Sequence, residues 1–337
     1  MRVALVHDDL VQWGGAERVL LGLCEIFPDA PIYTSVFDFN NSHLTEKFSD
    51  KKIITSFLQK IPGWISLYKI LLPFYPIAFE QFDFTKYDLV ISHTTRFAKS
   101  IITKPQTLHI SFCHTPPRFL WRFSGLKDFG FLEILMTKLR LYDQISAQRA
   151  DYFIAGSENA KRRIKKVYKV DARVVRPFVD LNRFKDVETF DGGYFVVIGR
   201  KNQYKRFDLA KVACEKLNVE LKIIEGNLTD EMVIHILAGC KALIISAEED
   251  FGIASLEAQA LGKPVIALGL GGVLETVIDG RTGILFTSQT VDSLIDAMEK
   301  LESKKINPLE CKQNAKQFDK ENFINNFKQI VASLVYT

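Results

Sequence analysis

Two carboxylates, Glu249 and Glu257, stand eight positions apart in EEDFGIASLEAQALGKPVIALGLGG, residues 248–272. The apolar run ALIIS (242–246) precedes them and reads as a buried strand. A tight Phe251-Gly252 turn lies between the two acids, and the helix formers from Ala254 to Leu261 follow it. Gly262 closes that helix, and Pro264 opens a second strand, PVIAL. A helix starting just beyond a strand end offers main-chain N–H groups and the positive end of its dipole to an anion such as a pyrophosphate. Carboxylates beside it can accept hydrogen bonds from sugar hydroxyls. Two cations, Arg200 and Lys205, stand at the end of another strand, YFVVIGR (194–200), before the helical RFDLAKVACEKL. Placed there they suit a diphosphate and would neutralise a leaving group, the role that a metal plays elsewhere. Lys201 and Arg206 are weaker substitutes. Solvated surface charge would explain either pair alone; the order strand, loop, helix, strand ties them together.

The N-terminal half offers fewer such groups. RVALVH (2–7) has the continuous apolar character of a parallel strand, and Gly14-Gly15 then opens the helical AERVLLGLCEIF. A glycine pair between strand and helix either admits a phosphate or sugar to the backbone or is a plain tight turn. No G-x-G-x-x-G is present, so this is not a dinucleotide fingerprint. His114 ends the strand TLHISFCH, and two prolines then force the chain away, with Arg118 and Arg122 nearby. Strand ends are where α/β sheets place ligand-contacting residues. His109 and His114 are not an i, i+4 pair and no H-E-x-x-H occurs, so no catalytic metal is expected.

The segments Glu249-Asp250-Phe251-Gly252-Ile253, Leu256-Glu257-Ala258 and Gly262-Lys263-Pro264-Val265-Ile266-Ala267 resemble the donor motif of glycosyltransferase family 4, and Gly271-Gly272, Glu275 and GRTGILF continue it. The resemblance implies an α/β chain of two Rossmann-like domains facing each other across a cleft (GT-B), and a retaining, metal-independent transfer from a nucleotide sugar. It implies that Arg200 and Lys205 hold the diphosphate, Glu257 the ribose and Glu249 the hydroxyls of the moving sugar. The amides from Phe251 through Gly252 to Ile253 would assist, and Gly14, Gly15 and His114 would complete the site from the first domain. The H-T-P-x-R stretch at His114 is similar to that of mannosyltransferases of bacterial surface polysaccharides, which favours a GDP-sugar over a UDP-sugar as co-substrate, with no separate cofactor. The acceptor implied is a glycan or a polyprenyl-linked saccharide. A non-catalytic sugar-nucleotide or glycan binder of the same fold is the alternative.

The bulk numbers are those of a soluble globular protein. At 337 residues two domains are expected, and 47% apolar with 25% charged residues is ordinary globular composition. A net charge of +4 gives no argument for nucleic acid. Five scattered cysteines without a C-x-x-C read as reduced thiols, and MRVALVHDDL reads as a strand rather than a leader, so a cytoplasmic protein is expected, at the inner face of the cell membrane if it binds lipid.

The domains are expected at 1–180 and 181–337, with DVETFDGG (186–193) as linker and a last helix, about 318–337, crossing back to the first domain. The aromatic, lysine-bearing run 51–84 is broken by Pro62, Pro73 and Pro76. It is either helices packed on the sheet or an amphipathic surface that touches an anionic membrane, with Trp64, Tyr68, Phe74 and Tyr75 at headgroup level and Lys51, Lys52, Lys60 and Lys69 near the lipid charge. The basic cluster Lys161, Arg162, Arg163, Lys165 and Lys166 is either a solvated helix face or a contact for phosphate. Between the strand ELKIIEGN and the helix TDEMVIHILAGC only Leu228 intervenes, so the second domain is expected to lack one helix–strand element of the family.

Overall fold

The computed structural model describes residues 1–67, 70–123, 130–199, 203–226 and 228–335. Arg200, Lys201, Tyr68 and Lys69 lie outside them. Packing divides the chain into two units: Met1–Val175 with Ile324–Thr337, and Arg176–Phe323. The division falls between Val175 and Arg176 instead of at 180/181. The stretch read as a linker, 186–193, therefore packs with the second unit. The last helix, Lys320–Val335, starts in the second unit and ends in the first, where Phe327 meets the ring of Phe112 at 5.6 Å.

The first unit holds a parallel sheet of seven strands: β1 (Val3–His7), β2 (Ile32–Thr34), β3 (Ile53–Thr55), β4 (Leu89–Thr94), β5 (Leu108–Cys113), β6 (Tyr152–Ala155) and β7 (Ala172–Val174), ordered β3-β2-β1-β4-β5-β6-β7. Parallel strands need crossovers, and the helices Gly15–Ile26, Glu133–Ala147 and Glu158–Tyr168 are among those that supply them. Ser157 caps the last of these, its side chain accepting the N–H of Ala160 at 2.9 Å.

In the run 51–84 the first of the two readings holds: its helices pack on the sheet. The run 51–84 contains an edge strand, β3, that its apolar content did not announce. Trp64 and Tyr75 are buried with Phe79, Phe84 and Tyr87, so they are core residues rather than headgroup contacts; Phe74 alone of the described aromatic trio is exposed. Arg163 likewise leaves the solvated basic face: it is buried, its Nη1 donating to Thr115 Oγ1 at 3.2 Å and its guanidinium lying over the Phe123 ring.

The second unit has five parallel strands, β8 (Tyr194–Ile198), β9 (Glu220–Ile224), β10 (Cys240–Ile245), β11 (Val265–Leu268) and β12 (Gly283–Phe286), ordered β12-β11-β10-β8-β9. Side chains alternate across a strand, and both faces here are apolar. Val196, Leu243, Val265 and Ala267 pack on one side, and Phe195, Val197, Ala242, Ile244 and Ile266 on the other. After β9 ends at Ile224 the next helix, Asp230–Ala238, follows at once, so no strand or helix intervenes among the described residues. No helix among the described residues is long and apolar enough to cross a membrane.

Candidate active site

In the second unit β8 lies between β9 and β10, so the winding reverses between β8 and β10. Ligands of open α/β sheets bind beyond the strand ends at such a reversal. The segments leaving both strands carry charge. A 3₁₀ turn, Gln203–Lys205, follows β8, and its Lys205 ammonium bonds the carboxylate of Glu249, which follows β10. Both side chains are about four-fifths buried, with exposures of 17% and 20%. Arg206, one of the two weaker substitutes, is turned to Asp208, its Nε lying 3.0 Å from Oδ1.

The main chain fixes Glu249 tightly. Its carbonyl accepts the N–H of Gly272 at 2.8 Å, and Glu249 forms a bridge with Gly271. Gly271 sits at φ +75°, and a Cβ there would stand 2.4 Å from the Glu249 carbonyl oxygen, so side chains are excluded. Gly252, at φ +96°, makes the sharp entry into the helix Ile253–Ala260 that the Phe251-Gly252 pair announced. A buried polar network locks that helix in place. Ser255 Oγ lies 2.7 Å from Thr276 Oγ1, Gln259 donates to the Thr276 carbonyl at 2.8 Å, and Asn314 donates to Gln259 Oε1 at 2.7 Å. Glu257, on the same helix, accepts from Arg183 Nη1 at 2.6 Å, and Arg183 also faces Asp230 at 3.6 Å. Arg183 stands on the 3₁₀ turn Leu181–Phe184 of the same unit. Nothing in its local pattern links it to a residue 74 positions away.

In the first unit the reversal falls between β1 and β4. His7 ends β1, its in-register partner His93 stands one residue before the end of β4, and His114 directly follows β5. Their rings touch in series: His7 Nδ1 lies 2.9 Å from His93 Nδ1, and His93 Nε2 bonds His114 Nε2. Burial, then the neighbouring His114 and His7, hold His93 well below the ordinary imidazole value. Glu17 Oε1 lies 3.9 Å from His7 Nε2. Gly14 and Gly15 start the helix that carries Glu17, and a Cβ on Gly14 would stand 3.2 Å from Glu17 Oε2. Asp8 is structural. Burial pushes its carboxyl up, but Arg96, His7 and the amides of Thr95 and Ala98 outweigh that and bring it below the usual range. It thereby clamps the end of β1 to the turn after β4, accepting from Thr94 Oγ1 at 2.9 Å and from the Phe97 N–H at 2.8 Å. Of these residues only His114, Gly14 and Gly15 were singled out from sequence. The signal that marked His114, a histidine ending a strand, also marks His7 and His93.

Among the described residues no three or more His, Cys, Asp or Glu side chains gather as a metal site would require.

A charge pair over a sheet reversal is common to several enzyme classes, and comparison with known proteins decides among them. The model of Glycosyltransferase Family 4 matches residues 13–183, just over half of the chain, and that of Glycosyl transferases group 1 matches 177–318. The chain belongs to glycosyltransferase family 4. It is 34% identical over 152 residues to the alpha-1,3/1,6-mannosyltransferase ALG2 of Dictyostelium discoideum, a match over 43% of this chain and 36% of that one. The chain thus spans little more than a third of that relative's length. Among solved structures it is similar to the lipopolysaccharide outer core galactosyltransferase WaaB, with TM-score 0.66, 16% identity and 99% of each chain covered. It is similar also to Anabaena Alr3699/HepE in complex with UDP, with TM-score 0.71, 14% identity and coverage of 99% and 100%. These neighbours are GT-B glycosyltransferases, and the two parallel-sheet units of this family 4 member have that fold.

Proposed function

We propose that this family 4 member is a retaining, metal-independent hexosyltransferase that moves mannose from a nucleotide diphosphate sugar to a glycan or lipid-linked saccharide. The observation that carries the reading is the bonded pair Lys205–Glu249 at the β8/β10 reversal, beside the helix start at Gly252. Lys205, with Arg200, holds the diphosphate; Glu249 reads the hydroxyls of the sugar; Glu257 reads the ribose; the Phe251–Ile253 amides face the anion. In the transfer step the bond from the anomeric carbon to phosphate oxygen breaks as the acceptor oxygen bonds that carbon from the same face. The acceptor proton passes to the departing phosphate, so no protein nucleophile is needed. The ammonium of Lys205 stabilises the charge that grows on the phosphate.

Mannose is supported by the relative named a mannosyltransferase. GDP is favoured as the carrier, with UDP, which is bound in the HepE structure, as the competing base. Thermal shift with a panel of nucleotide sugars tests the donor: GDP-mannose should raise the melting temperature most. A non-catalytic binder is the second reading, favoured by the direct passage from β9 to the Asp230–Ala238 helix. Release of free sugar from the donor without acceptor would eliminate it.

The acceptor implies work at the inner face of the cell membrane, in the cytoplasm. Exposed Ile65, Ile70, Phe74 and Ile77 offer an apolar surface for a bilayer, and the exposed Lys52 and Lys60 of the same run 51–84 supply positive charge for anionic lipid. Flotation with anionic vesicles at low salt should carry the protein up; failure to float removes the membrane contact.

A further inference from the structure

The helix Glu133–Ala147 is apolar on the side where a surface helix is ordinarily charged. Residues at i, i+4, i+7 and i+11 share one helix face, and Ile134, Lys138, Leu141 and Ile145 have that spacing. The opposite face enters the interior of the first unit through Met136, Leu139, Asp143 and Ala147, so the stripe points outward. Its three aliphatic side chains are exposed by 73%, 56% and 64%. Hydrogen bonds fix the neighbours on both flanks. Tyr142 donates its hydroxyl to Glu80 at 2.8 Å, which sets the helix Tyr75–Glu80, with its exposed Ile77, on one side. Gln144 and Gln148 donate to the carbonyls of Val167 and Tyr168 at 3.2 and 2.8 Å, which sets the end of the helix Glu158–Tyr168 on the other.

Charge decides what covers this face. The helix Glu158–Tyr168 exposes Arg162, Lys165 and Lys166, and Lys138 stands within the stripe itself. Glu80, Glu133 and Asp171, acids at the ends of these helices, are paired with Arg149, Arg122 and Lys165 at 2.7, 3.1 and 2.7 Å. Glu158 lies at the far end of its helix from the two glutamine contacts. An apolar strip rimmed by cations fits a bilayer with anionic headgroups: the aliphatic groups enter the acyl boundary and the cations meet the phosphates. A second copy of the chain fits worse. Antiparallel pairing of two such stripes about their midpoint would bring the two Lys138 ammoniums together.

We propose that the helix Glu133–Ala147 lies in the plane of an anionic membrane surface, with Ile134, Leu141 and Ile145 inserted and the basic face of Glu158–Tyr168 alongside. The inference rests on the reading of the acceptor as a lipid-linked saccharide. A chain held there meets an acceptor confined to the same surface.

Flotation of the full chain with vesicles of phosphatidylglycerol and phosphatidylethanolamine tests it, with vesicles of phosphatidylcholine as the uncharged comparison. The wild-type chain should float with the first and much less with the second. Leu141→Asp combined with Ile145→Asp, both at exposed positions, should leave the melting temperature unchanged and weaken binding at least about 10-fold. Lys138→Glu should weaken it about 5-fold or more, since one basic residue is worth about that near an anionic leaflet. A wild-type chain that stays down, or a double variant that floats like wild type, overturns the proposal. So does a wild-type dimer that the double variant turns into a monomer, which would give the face to a second copy. With a water-soluble glycan acceptor the double variant should transfer sugar like wild type. Vesicle binding in a chain that transfers no sugar would uphold the surface and count against the transferase reading; transfer without vesicle binding would do the reverse.

Discussion

Lys205 and Glu249, 44 residues apart in sequence, are bonded to each other over the β8/β10 reversal. Each therefore fixes the position of the other. An ammonium has three N–H donors, so Lys205 can keep Glu249 and still reach a phosphate. On the proposed reading the pair is a pre-formed seat, with cation and hydroxyl acceptor side by side.

Removing either member should disable transfer. Lys205→Ala and Glu249→Gln are each expected to cost at least about 100-fold in kcat, the scale of losing a contact that strengthens in the transition state. Steady-state assays with the best donor check this, and near-normal turnover in either variant would withdraw the two roles.

On the proposed reading Arg183 acts through Glu257 rather than on the sugar, its 2.6 Å bond orienting the carboxylate assigned to the ribose. Arg183→Ala should raise the donor KM by roughly tenfold and leave kcat nearly unchanged, the signature of lost uniform binding. An equal fall in kcat and kcat/KM would move Arg183 into the chemistry.

Gly271 tests the rigidity of the Glu249 loop. With φ at +75° and no room beside the Glu249 carbonyl, Gly271→Ala should lower stability by about 1–3 kcal/mol and depress transfer with it. Gly269 has only ordinary contacts at the Cβ position, nearest 3.5 Å, and Gly269→Ala should be the milder change. Denaturant unfolding of the two variants gives the comparison.

Stability should fall on mild acidification. Burial lowers the His109 value to about 4, against about 6.5 in an unfolded chain. The unfolded state thus takes up the proton first, and stability present at neutral pH is lost as pH drops from about 6.5 to about 4. For His109 alone the loss is on the order of 3 kcal/mol. His93 acts in the same direction. Unfolding free energies across that window should show the slope, and His109→Gln should flatten it.

What the sequence disclosed was local. Continuous apolar runs such as ALIIS and PVIAL announced parallel strands because both sheet faces are covered, and Gly252 and Gly262 marked the ends of one helix. The donor motif is a single strand–turn–helix passage, so its residues are near in space because they are near in sequence. What stayed hidden was set by pairing between distant segments. Arg183 meets Glu257, and His7 meets His93 across 86 residues, because sheet register puts them together. Trp64 and Tyr75 were left open between core and surface because prolines interrupt the period that would have shown their buried side. Arg163 is carried inward by helix phase, between Arg162 and Lys165 that stay nearer solvent.

The central claim is that Lys205 seats a nucleotide diphosphate. Titration calorimetry of the wild-type chain and Lys205→Ala with GDP, UDP and the corresponding monophosphates reads it directly. The account predicts that the variant binds the diphosphates about 10- to 100-fold more weakly, the worth of one charge-assisted hydrogen bond, while the monophosphates change little. Equal diphosphate affinity in the two proteins would contradict it.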